Sequence, residues 1–370
     1  MKLRYKILNG IFAIFFLLIA SVAVAIGYTS DCEPSQSNTA SDNAMRAIIY
    51  RCYGGPDVLE LVEIEKPVPA NNEVLVKVHA AGTNPADYHY MRGSPYLMRL
   101  MIGLGEPTSK KLGTDFSGVV EAVGADVTQF KVGDHVFGGR KGAFAEYITV
   151  REDGAIALKP ENVTHEQTAT IAIAAITALE ALRDKGQVKA GEKVLINGAS
   201  GGVGTYAVQI AKYLGADVTG VNSTRNVDMV LSLGADRVID YKKESYLNQG
   251  VKYDVIIDMV ANHSLSENLD ILNAGGRLVN VGSVDKGDWI QVLYTPIKTL
   301  FMNPFLEDKQ IIGFVASLEK DDIEFLGKMM TDGKLKPRLD KGYELAKTAD
   351  AIRHLETGRA RGKIYITMEE

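Results

Sequence analysis

Cysteine is nearly absent from this 370-residue chain: Cys32 and Cys52 are the only two. That scarcity argues against a disulfide framework and against a thiolate-rich metal site. The body also lacks any dense run of lysine and arginine, and the net charge is -5. A nucleic-acid surface, which needs concentrated positive charge, is therefore not expected. Internal repeats and long low-complexity tracts are missing too. What remains is an ordinary globular balance, 46% hydrophobic and 24% charged, on a chain long enough for two sizeable cores.

The N-terminus differs in kind from the rest. Lys2, Arg4 and Lys6 precede an apolar stretch from Ile7 to about Tyr28, broken only by Asn9, Gly10 and Ser21. About 20 helical residues cross a bilayer core, so residues 1–29 read as a single-pass, uncleaved N-terminal transmembrane anchor. A cleaved signal peptide is the alternative, with Ala23-Val24-Ala25 at a plausible cleavage spacing. Lipoprotein processing at Cys32 fits poorly, because Asp31 precedes it. Residues 30–44 are polar and small, a tether. The positive-inside rule leaves the basic end in the cytoplasm and the body outside. A start at Met45, giving a cytoplasmic protein, is a third reading.

From Arg46 to about Val150 short strands alternate with Gly, Pro, Asn and Asp turns, a β-rich, barrel-like unit. A helical pattern runs from His165 to about Gly186, and strands then alternate with helices as in a parallel sheet covered on both faces. The tail returns to β character and is expected to pack back on the first unit. The implied organisation is a β-rich unit over 45–164, an α/β unit over 165–318 and a C-terminal return over 319–370.

The most informative stretch is Val194 to Ser223. An apolar strand enters Gly198-x-x-Gly201-x-x-Gly204, an amphipathic helix follows, and a second strand ends about 20 residues on. Gly198 and Gly201 allow a tight turn close to a pyrophosphate, Gly204 lets helix and strand pack closely, and the helix start offers amide donors. Strand, glycines, helix and second strand together select a nicotinamide dinucleotide. NAD sites place Asp or Glu at the end of that second strand. Here Val221-Asn222-Ser223-Thr224-Arg225 carries no carboxylate, and Ser223 and Arg225 can donate to a 2′-phosphate, which favours NADPH.

These residues, together with Tyr53-Gly54-Gly55-Pro56, Ala81 to Asp87, Gly113 to Gly118, Val132 to Val136 and Leu233 to Tyr241, resemble the medium-chain dehydrogenase/reductase superfamily, in its zinc-independent, quinone oxidoreductase-like branch. The resemblance covers the chain from Met45 onwards. It implies an α/β fold: a GroES-like catalytic domain plus a Rossmann domain with a doubly wound parallel sheet. It implies cofactor contacts from Gly198, Ser200, Gly201, Gly202, Val203, Gly204, Ser223, Arg225, Tyr241 and, more weakly, Lys363 to phosphate. Zinc enzymes of the superfamily carry Cys near Asn84-Pro85 and Gly-His-Glu at Gly113-Thr114-Asp115. Neither occurs here, and the histidines show no ligand spacing, so no zinc is expected.

Without a Lewis acid the accessible chemistry is hydride transfer from NADPH to a small, electron-poor acceptor, a quinone or an α,β-unsaturated carbonyl. Asn84, Asp87 and Tyr88, with Tyr90 nearby, are the candidate catalytic residues, although Asn84-Pro85 can serve only to fix a loop and Asp87 only to cap a helix. An enoyl-thioester reductase and a non-catalytic NADPH-binding membrane adaptor are the competing readings. A homodimer stays open. The apolar segment Ser94 to Pro107 reads as a packed surface helix, or as a lipophilic gate facing the bilayer.

Overall fold

The computed structural model describes residues 20–32, 43–282, 297–306 and 308–368. Most of the expected membrane anchor therefore lies outside the described residues. Among those described, no helix is long and apolar enough to cross a membrane. Residues 20–27 are helical.

The catalytic domain is built on strands β1 (Ala44–Ile49), β2 (Glu60–Glu65), β3 (Glu73–Gly82), β4 (Asp115–Val123), β5 (His135–Gly139), β6 (Tyr147–Arg151) and β7 (Ile156–Leu158). Alternate residues of these strands face one core, which holds Ile48, Val74, Val76, Val78, Phe116 and Val136, as the period of two demands. The second domain contributes β8 (Lys193–Asn197), β9 (Asp217–Asn222), β10 (Arg237–Asp240), β11 (Tyr253–Asp258), β12 (Leu272–Asn280) and β13 (Gln310–Gly313). They form one parallel sheet in the order β10-β9-β8-β11-β12-β13. Val194, Leu195 and Ile196 of β8 and Val255, Ile256 and Ile257 of β11 are all buried, the continuous apolar run of strands covered on both faces.

The chain then returns. β14 (Leu339–Glu344) and β15 (Lys363–Thr367) join the first domain, with β15 antiparallel to β3 through Tyr365–Gly82, Ile366–Ala81 and Thr367–Ala80. The seven-stranded sheet reads β14-β15-β3-β4-β5-β7, with β6 on β3. The tail thus packs on the catalytic domain, as its β character implies. In the parallel sheet the strand order reverses between β8 and β11. Ligands of doubly wound sheets bind outside the strand ends at such a switch point. Asn197 and Asp258, the last residues of those strands, are joined there by a 2.8 Å hydrogen bond from the Asn197 amide.

Three features depart from the sequence reading. The polar tether does not begin at residue 30: the Ser30 N–H donates to the Gly105 carbonyl at 2.9 Å. Cys32 and Cys52 are paired in a disulfide, which the count of two did not suggest. The segment Ser94 to Pro107 is not one surface helix but two short turns, Tyr96–Met98 and Arg99–Ile102, wrapped around the buried Arg99.

Candidate functional site

At the end of β8 the chain turns through Gly198, whose φ of +92° is strained for any other residue. The helix Gly202–Tyr213 begins at once. A Cβ on Gly204 would lie 2.1 Å from the Gly198 carbonyl oxygen, so glycine is required there for turn and helix to meet. Beyond β9, Asn226 gathers the neighbouring hydroxyls: its amide donates to Ser200 Oγ at 2.9 Å and Ser223 Oγ at 3.3 Å. Arg361 donates to Asn226 Oδ1 at 2.9 Å, and Arg225 to the Arg359 carbonyl at 2.8 Å. Two serine hydroxyls and the side chains of Arg225 and Arg361 therefore meet around Asn226 and the loop at Arg359 where the second strand ends. The nearby acid, Asp240, accepts from Thr224 Oγ1 at 2.6 Å and from the Lys242 N–H at 3.0 Å. The Thr224 bond leads in holding its carboxyl below the usual range. Tyr241 follows, more than half exposed.

The opposite wall belongs to the catalytic domain. Thr83 and Asn84 leave β3, and Asn84 starts the helix Pro85–Arg92. Its N–H donates to Asp87 Oδ2 at 2.7 Å, the third helical residue reaching back to the cap. Asp87 Oδ1 also accepts from the Gly113 N–H at 3.3 Å. Lys363, from β15, enters the same space. Its ammonium donates to the Thr83 carbonyl at 2.7 Å and to Asn84 Oδ1 at 2.6 Å, and lies 3.7 Å from Asp115 Oδ2. The other Asp115 oxygen accepts from the Ile173 N–H at 3.0 Å, which ties the wall to the helix Ala172–Leu179.

All four polar groups are buried, and their titration reflects it. Burial pushes Asp87 up to about 7, opposed by the Asn84 N–H. It raises Asp115 against the pull of the Lys363 ammonium, and lowers Lys363 against the pull of Asp115 and then Asp87. Asn84 Nδ2 and Asp115 Oδ2 are both buried, and the Asn84 side chain helps the Lys363 ammonium to hold the Asp115 carboxyl down against its burial.

A cleft of about 1000 Å³ joins the two ends. It is lined by the whole glycine turn from Gly198 through Gly204, by Ser223, Arg225 and Tyr241, and across from them by Asn84, Tyr88 and Lys363. Asp87 is the expected site residue that does not line it; the carboxylate sits behind Asn84 and positions it. Tyr90 is also outside, its ring beneath the Lys141 ammonium at 5.0 Å. Lys363 lines the cleft, but its ammonium is bound to Thr83 and Asn84 rather than directed at the glycine turn. Asp115 and Asn226 were not assigned roles from sequence. The glycine turn, closed so tightly that Gly204 admits no Cβ, and the amide-rich helix start fit a nicotinamide dinucleotide.

Three histidines also gather outside this cleft. His79 of β3 stacks on His165 at 4.6 Å between ring centroids. His165 Nε2 lies 2.9 Å from His135 Nδ1, and its Nδ1 lies 2.8 Å from Ser117 Oγ. Burial, then His79, holds His165 down to about 4. His79 on β3 and His135 on β5 flank β4, and His165 from the next helix meets both, a meeting that sequence spacing does not show. Among the described residues no group of three or more His, Cys, Asp and Glu is arranged to hold a metal ion.

Comparison with known proteins agrees with this geometry. Residues 70–161 match the alcohol dehydrogenase GroES-like domain, and residues 233–366 match a family described as zinc-binding dehydrogenase. The human quinone oxidoreductase is 35% identical over 343 residues, covering 88% of this chain and 98% of that protein. The solved quinone oxidoreductase of Coxiella burnetii superposes with a TM-score of 0.77 at 31% identity, over 88% of this chain and 100% of that one. The CurK enoyl reductase shares the fold, with a TM-score of 0.74 at 24% identity, over 89% and 100%.

Proposed function

This chain belongs to the medium-chain dehydrogenase/reductases, in the quinone oxidoreductase-like group, and from that premise we propose that it is a zinc-independent NADPH-dependent reductase of quinones or α,β-unsaturated carbonyls. The observation that carries the proposal is the single cleft with a glycine cradle and arginine cluster at one end and the Asn84–Lys363 pair at the other. NADPH, when bound, supplies the hydride. Gly198 to Gly204 would hold its pyrophosphate, and Ser223 and Arg225 its 2′-phosphate.

The remaining work falls to the catalytic wall. A quinone or enone gains negative charge on oxygen as it is reduced. Asn84, which lines the cleft, is the residue we assign as donor to that oxygen. The Lys363 ammonium fixes the orientation of the Asn84 amide by binding its Oδ1, and sets a positive potential behind it. Asp87 holds the Asn84 backbone from the other side. Tyr88, half-buried at the rim with its hydroxyl pKa raised by burial, can deliver the proton while the wall keeps bulk water away.

Location is part of the same proposal. Residues 1–29 anchor the protein, and the Cys32–Cys52 bridge supports a body on the oxidising side of the membrane, where the positive-inside rule also puts it. The full chain, given NADPH or NADH with panels of quinones, enones and enoyl thioesters, should oxidise NADPH faster and turn over the first two panels. Turnover of enoyl thioesters alone would select the enoyl reductase reading. Tight NADPH binding without oxidation by any acceptor would leave only a cofactor-binding adaptor.

A further inference from the structure

We propose that the catalytic domain is seated on a phospholipid bilayer through a ridge made by Leu100, Met101 and Leu104 and the end of the N-terminal helix. The seat rests on the anchoring reading above and adds to it. An anchor on a slack tether would let the body float at any angle, whereas the observations here fix it.

The fastening is Arg99. Its side chain is buried, and Nη1 lies 2.8–3.2 Å from the carbonyl oxygens of Ile26, Gly27 and Tyr28 and from Thr29 Oγ1. Those carbonyls are the ones a helix end leaves without partners, and a cation is favoured at that end. Nε donates to the Gly93 carbonyl at 2.8 Å, and the guanidinium lies over the rings of Tyr53 and Tyr96 at 4.6 and 4.5 Å. A buried guanidinium is tolerated only when its donors are engaged, and here they engage helix and domain at once. Ile26 is inserted into the body, Thr29 pairs with Gly105, and Cys32 is bonded to Cys52. Among the described residues, the segment from Ile26 to Cys32 is held to the domain along its length.

The same two segments carry a cluster of exposed apolar side chains. Met101 is 88% exposed, Val24 71%, and Leu100 and Tyr28 61% each, with Val22 and Leu104 also more than half exposed. Monomeric proteins rarely leave such a patch to water. What covers it follows from the chain that leads into it: the sequence before residue 20 is apolar back to Ile7. The medium that accepts that run is the medium this ridge faces. The helix Pro85–Arg92 connects ridge and cleft, with Tyr88 lining the cleft and Gly93 bonded to Arg99. Its eight residues span about 12 Å, so an acceptor dissolved in lipid would meet the cleft close to the membrane surface.

Because both native cysteines are paired, Met101→Cys gives the full chain a single free thiol at an exposed position. We would attach an environment-sensitive fluorophore there, or at Lys252→Cys in the cofactor domain, and reconstitute the protein in phosphatidylcholine–phosphatidylglycerol vesicles with and without doxyl-labelled lipid. The expected result is loss of roughly half the emission at position 101 and no loss at 252, as for groups lying within the headgroup boundary. Vesicle-bound protein with an unquenched label at 101 would overturn the seat and leave the anchor standing. Protein that does not associate with vesicles would overturn both. Emission that follows protein concentration and ignores doxyl lipid would also overturn it, assigning the ridge to a second copy of the chain.

Discussion

The two ends of the cleft are made in opposite ways. The cofactor end is local: β8, the glycine turn and the helix Gly202–Tyr213 lie within one short stretch, and its donors are backbone amides, serine hydroxyls and partly exposed arginines. The catalytic wall is assembled from residues 84, 87, 115 and 363, with Lys363 reaching Asn84 across 279 positions. It buries an ammonium and two carboxyls together. Local geometry can bind without straining the fold, because water still solvates most of its charges. The wall couples chemistry to stability, because each charge there depends on the others.

That contrast can be tested where it is greatest. Lys363→Met leaves Asp115 and Asp87 without their cation, and chemical denaturation near neutral pH should show a loss of about 3–5 kcal/mol. Adding Asp115→Asn should restore much of it. A change at the cofactor end should not behave this way. Arg225→Ala is expected to leave stability within about 0.5 kcal/mol while weakening NADPH binding by about tenfold and sparing NADH, the cost of one charge-assisted bond to a phosphate. Equal losses for the two nucleotides, measured by titration calorimetry, would show that Arg225 does not read the 2′-phosphate.

A further effect separates the wall's charges from its shape. Asp87 titrates higher folded than unfolded, so protonation stabilises the fold. That contribution is full below the ordinary carboxylate range and is lost as pH rises through about 7. Asp87→Asn stays neutral throughout, so its stability relative to the parent should improve by about 2–3 kcal/mol between about pH 5 and pH 8. A constant offset across that range would mean that Asp87 acts only as a helix-start acceptor.

The same contrast explains what could be read in the amino-acid sequence. Gly198, Gly201 and Gly204 announce themselves because the strand before and the helix after are contiguous with them, and the carboxylate-free end of β9 is equally local. The two-domain α/β architecture follows from strand and helix alternation and from the motifs around Gly113 and Leu233. Asn84 and Asp87 were visible as candidates, but Asp115 had no assigned role, and Lys363 read as a phosphate contact. Their juxtaposition depends on β15 pairing with β3, which no spacing reveals. The histidine group at 79, 135 and 165 escaped for the same reason. Ser94 to Pro107 was misjudged because one buried arginine, rather than the apolar residues around it, organises the segment.

The pairing of β15 with β3 has a consequence for the order of events in biosynthesis. A ribosome delivers the glycine turn well over a hundred residues before it delivers Lys363. The parallel sheet can therefore fold while the strand that completes the catalytic wall is still unmade, since domains form largely as units during synthesis. Until β15 arrives, the Ala80–Gly82 end of β3 lacks a partner on one edge and Asp115 has no counter-ion, and closing so long a loop is slow. The glycine turn thus forms early in the life of each molecule, whereas the residues from Gly358 to Lys363 that close both ends of the cleft arrive last, so nucleotide site and catalytic wall are completed together.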